Sequence, residues 1–219
     1  MTWNDVTVFQ WQQLMDVSQS GESDAEKSIK TASILTGKTE AQIRQLTYDQ
    51  LQKLAKSIEF ISIEMPQRRV TKIKANGMHY QFRYDVEQMP MGRYIEAKHF
   101  AQDFAGNLHK IAASMCIPMK RTFTGQKPME FNPADHSRYA NDLQAAPVVE
   151  VLGSVTFFYL RLIGWIRSSA DCLAEAMRAK GMTQDQIETV RSALWHSMDG
   201  FIRPRLSLNT SALSLTGLT

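Results

Sequence analysis

Cysteine is nearly absent from this chain of 219 residues; Cys116 and Cys172 are the only two. Neither sits in a CxxC or Cys/His spacing, so no disulfide framework or structural zinc is expected, and a reducing compartment is the natural reading. Also missing is a long apolar run free of charge. The longest apolar stretch, Val148 to Ile166, holds Glu150, Arg161 and two glycines, which favours a buried core helix over a membrane span. The opening MTWNDVTVFQWQQ has neither the positive start nor the apolar run of a secretory signal. No charge block and no excess of proline or glycine points to disorder, so a soluble intracellular chain with its own core is expected.

Catalytic fingerprints are absent too. No phosphate-binding glycine loop, HExxH, GxSxG or EF-hand pattern occurs. The five histidines, His79, His99, His109, His136 and His196, are dispersed. His99 and His109 read as sharing a helix, yet ten residues separate them by about 80° and about 15 Å, too far for one metal ion. Asp135-His136 is an adjacent pair that carries almost no information about a triad. The expectation is a protein that is not an enzyme and has no metal and no cofactor.

What is present is unevenly placed. The formal charge of +3 divides into −2 over residues 1–61, +6 over 62–127 and −1 over 128–219. Seven of the twelve methionines, from Met65 to Met129, lie in or beside that basic middle, where flexible thioethers suit either gap-filling or an adaptable partner surface.

Patterning divides the chain into a small helical unit (1–61), a β-hairpin with its turns (62–92), a helical core (93–206) and a flexible tail (207–219). The first unit carries Ser/Thr-x-x-Glu/Gln start signals at Ser23, Thr39 and Thr47, with Gly37 as a left-handed stop. Asn76-Gly77 between alternating runs predicts a type I′ hairpin over Arg69–Tyr84. One long amphipathic helix is expected from Ala97 to Met115, stopped by Pro118, and residues 119–131 read as a loop. A helix follows Asn132-Pro133, then the apolar segment from Val148, extending towards a Gly181 cap, and a last helix opens at Thr183. The predicted fold class is mainly α, with one central hairpin packed on helices.

Alternation on the hairpin sends Met78, Tyr80, Phe82 and Tyr84 to one face and most cations to the other. Basic and aromatic interleaving is a feature of single-strand binding surfaces, and Arg69, Lys72, Lys74 and Arg83 are the candidate nucleic-acid residues. A stacking platform needs both residue types on one exposed face. Core packing of the aromatics with a solvated basic edge is therefore favoured, and nucleic acid is only the alternative partner.

The order of segments carries a resemblance. EKSIKTASILTGKTEAQIRQLTYDQLQKL (Glu26–Leu54), then IKANGMHYQFRYDVEQMPMGRYIEAKHF (Ile73–Phe100) and NLHKIAASMCIPM (Asn107–Met119), are similar to tailed-bacteriophage tail assembly chaperones and related virion-morphogenesis proteins. In those proteins an LTG element, here Leu35-Thr36-Gly37, precedes a short helix with an Ile/Leu pair, here Ile43 and Leu46. The similarity spans roughly residues 7–120. It implies a homo-oligomeric protein of the host cytoplasm, or of the virion, that keeps a long helical tape measure protein soluble while tail tube proteins assemble around it. Trp11, Leu14 and Met15, Phe100, Phe104 and Leu108, and the hairpin residues Met78, Tyr80 and Phe82 are the candidate partner-binding residues under that reading. A structural protein retained in the virion is the second reading within the same resemblance.

Overall fold

The helices of the N-terminal unit begin where small hydroxyl residues cap them. In the computed structural model, which describes residues 1–123, 125–130 and 132–196, Thr7 opens α1 (Val8–Gln19), and its hydroxyl accepts from the Gln10 N–H while the Gln10 side chain returns a hydrogen bond. Thr39 and Thr47 make the same reciprocal box at α3 (Glu40–Arg44) and α4 (Tyr48–Ile58). Ser23 caps α2 (Asp24–Thr36) on one side only, because Glu26 turns away to pair with Arg44 at 2.5 Å. Gly37 ends α2 at φ 69°.

The hairpin forms as expected. Strand β1 (Lys72–Ala75) pairs with β2 (Met78–Phe82) across Asn76 (φ 47°) and Gly77 (φ 80°). Ile73, Ala75, Tyr80 and Phe82 are buried, and Lys72 and Lys74 are exposed. Two further strands replace the expected loop: β3 (Cys116–Thr122) pairs with β2, and β4 (Gly125–Pro128) pairs with β3, giving the antiparallel order β1-β2-β3-β4. Pro118 is tolerated inside β3 because its backbone faces the β4 side, where β4 has ended at Pro128; the Pro118 carbonyl accepts from the Met129 N–H at 2.8 Å.

The expected single helix from Ala97 to Met115 is also corrected. It divides into α5 (Met91–Phe100) and α6 (Phe104–Met115) around a 3-10 turn. Asp103 leaves helical geometry and caps the Gly106 N–H at 3.1 Å, and a Cβ at Gly106 would collide with that carboxylate. His99 and His109 therefore lie on different helices. A 3-10 turn at Pro133 leads into α7 (His136–Leu143).

The longest element is α8 (Val148–Ala179), 32 residues and about 48 Å. It is long and apolar enough to cross a membrane, but 56% of its most apolar 18-residue window is buried within the fold. One apolar cluster runs from Trp3 to Ile166 and draws on the N-terminal unit, the hairpin and the helices beyond it. A separate small cluster of Ala174, Met177 and Ile187 joins the far end of α8 to α9 (Gln184–His196), which Thr183 and Gln186 cap reciprocally. Gly181 makes the turn between them at φ 77°. The expected tail, 207–219, and Met198 of the last helix lie outside the described residues.

A backbone strap crosses α8. The Arg68 N–H donates to the Val149 carbonyl at 3.0 Å, and the Val70 N–H donates to Ser154 Oγ at 3.1 Å. A Cβ on Gly153 would stand 2.5 Å from the Arg68 nitrogen, so a glycine is required where the strap passes.

Candidate binding surfaces

The candidate partner residues separate by burial. Trp11, Leu14, Met15, Tyr80, Phe82 and Leu108 are 0–6% exposed and belong to the main cluster. Their helix faces already have intramolecular partners: α1 packs on α2 and α6, and the hairpin packs into the core. Met78, Phe100 and Phe104 are half-buried against the same cluster. Helical or strand spacing identifies these faces as apolar, and among the described residues they pack into one cluster.

The methionines do not form one surface either. Met115 and Met119 are buried, Met65, Met78 and Met89 are half-buried, and Met91 and Met129 are exposed on different segments. A cleft of about 610 Å³ has Arg83, Met89, Arg93, Glu96, Met115 and Ile117 among its lining residues. Buried Arg93 donates from Nη2 to the Cys116 carbonyl at 2.5 Å and the Ala113 carbonyl at 3.4 Å, satisfying the end of α6. Burial lowers its proton affinity. The cleft sets two cations, Arg83 and Arg93, against two carboxylates, Asp85 and Glu96, and so selects no charge.

Ser114 and His136 come together without forming a catalytic pair. Ser114 Oγ lies 3.0 Å from His136 Nε2, but the same nitrogen lies 3.1 Å from the Lys110 carbonyl. A carbonyl oxygen only accepts, so Nε2 carries the proton and donates; it is not placed to take one from the serine. Ser114 is fully buried in α6, and the contact joins α6 to α7. His109 is likewise internal: its Nδ1 accepts from Gln12 Nε2 at 3.1 Å, and burial pulls its pKa down to about 4. Cys116 is buried and its thiol pushed far up by that burial, which leaves it unreactive. No group of three metal-ligating side chains occurs among the described residues.

No family model, curated protein or solved structure matches this chain. Function therefore has to be read from its own surfaces.

Two of these stand out. On α8 beyond Ile166 the buried positions are Ala170, Ala174 and Met177, of which Ala174 and Met177 pack with Ile187 of α9. The neighbouring face carries Trp165, Ser169, Cys172, Leu173 and Ala176, all exposed and recurring at helical spacing. Trp165 is 41% exposed and Leu173 42%.

The second is the sheet. Of the four candidate nucleic-acid residues, Arg69 leaves the group: its guanidinium lies 3.9 Å from the Phe157 ring centre and 5.0 Å from that of Tyr84, against α8. Arg83 turns to the mixed-charge cleft. Lys72 and Lys74 remain exposed on β1, and β3 and β4, where composition predicts a loop, add Lys120, Arg121 and Lys127. These three are hidden in the sequence because Pro118, Gly125 and Pro128 punctuate the segment as a loop.

Proposed function

We propose that the protein is a non-enzymatic binding protein of bacteriophage tail assembly, acting in the host cytoplasm or retained in the virion. It keeps a long helical client, the tape measure protein of the resembled family, from aggregating. The observation that carries this reading is the outer face of α8: Trp165, Leu173 and the small residues Ser169, Cys172 and Ala176 form a stripe suited to close packing of a second helix. The internal use of Ser114, His136 and His109 favours binding over catalysis.

The client contact thus moves from the residues expected by spacing to the end of the long helix. Co-expression with a tape measure protein tests it. The client is expected to be soluble and to co-purify, and Trp165→Glu with Leu173→Glu should abolish co-purification at an unchanged melting temperature. A client equally soluble with and without this chain ends the proposal.

A further inference from the structure

The four strands together contain Lys72, Lys74, Lys120, Arg121 and Lys127 and not one aspartate or glutamate. Their geometry concentrates this charge. Lys120 and Lys127 stand directly opposite each other on β3 and β4, and Arg121 stands opposite Gln126. Like charges in such register repel. The Lys72 ammonium, from the far edge of the sheet, donates to Gln126 Oε1 at 3.5 Å. That contact puts it beside Arg121, the strand partner of Gln126, on the sheet face that also carries Lys74; Lys120 and Lys127 point to the opposite face. Lys72, Lys74 and Arg121 are all exposed, and none is in an ion pair among the described residues. At the end of the same ribbon Phe123 stands fully in solvent.

We infer that the open face of the sheet is a binding surface for single-stranded nucleic acid, with Lys72, Lys74 and Arg121 on the phosphates and Phe123 stacking on an unpaired base. Three cations without counter-charges on one face match a polyanion, and a solvated aromatic at its end matches a strand whose bases are free. A protein partner fits less well, because the centres of protein interfaces are apolar and depleted of lysine. This surface is separate from the α8 face, so either can fail without the other.

The test is fluorescence anisotropy of the full chain with a labelled oligothymidylate. Binding is expected to fall with a log–log salt slope of about −2, or about twentyfold between about 50 and about 200 mM salt. Lys72→Ala with Arg121→Ala should bring the slope to about a third of that value, and Phe123→Ala should weaken binding about tenfold with the slope unchanged. These side chains are exposed, and unchanged melting temperatures would show that the variants fold. Lys53→Ala with Lys56→Ala on α4 should change nothing. No binding at low salt, equal loss in the α4 variant, or equally tight binding of poly-glutamate would each overturn the proposal.

Discussion

The two halves of α8 are one unbroken helix under opposite conditions. From Val148 to Leu162 most positions are buried, by the strap on one side and by α1 and α6 on another. Beyond Ile166 only the side facing α9 is covered. Helical propensity alone does not separate them. The difference lies in what each half meets, and the same residue type therefore has a different role at each end. Gly153 lies under the Arg68 backbone, whereas a Cβ at Gly164 would meet nothing within 4 Å.

Substitutions along this helix test that contrast. Phe158→Ala should have the largest effect, a loss of about 3–5 kcal/mol seen as a drop of about 10 °C in melting temperature. Gly153→Ala should destabilise by about 2 kcal/mol, since the strap must move by more than the gain in helix propensity returns. Acid should act next, through the inner half's supports. His109 has a pKa near 4 when folded and about 6.5 when unfolded. Below about 6.5 the unfolded chain binds the extra proton, so stability is full above that pH and falls as pH drops towards 4. Burial lowers the pKa of His136 as well, which adds to the loss. Melting curves across that window check the sign, and His109→Gln should flatten them. At the small end, Gly164→Ala should stabilise by up to about 1 kcal/mol, and Trp165→Ala should stay within about 0.5 kcal/mol while reducing client binding. A large loss from Trp165→Ala would mean that the outer half is core after all.

Much of the fold was readable from local chemistry. The threonine boxes, the left-handed glycines, Asn76-Gly77 and the extent of α8 all follow from neighbouring residues. What failed depended on distant ones. Pro118 reads as a stop unless it is known that β4 ends beside it, and the division at Asp103 depends on one side chain capping a glycine. The partner-binding residues show the limit most clearly: period identifies the faces of Trp11 and Leu108 as apolar, but nothing local says that they pack into one core. The basic face was partly visible, since Lys72 and Lys74 lie in the hairpin while Arg121 needed a strand that composition had hidden.

The N-terminus has a consequence for how the chain is made. The Val6 carbonyl accepts from the Val148 N–H, and Val8 and Phe9 donate to the Ala146 and Gln144 carbonyls. The first helix is thus anchored by residues synthesised about 140 positions later. At about 5–20 residues per second the ribosome takes about 7–30 s to supply them. Until then Trp11 and Leu14 wait without their full cover, so a protein read here as keeping another chain from aggregating passes through a similar vulnerability during its own synthesis.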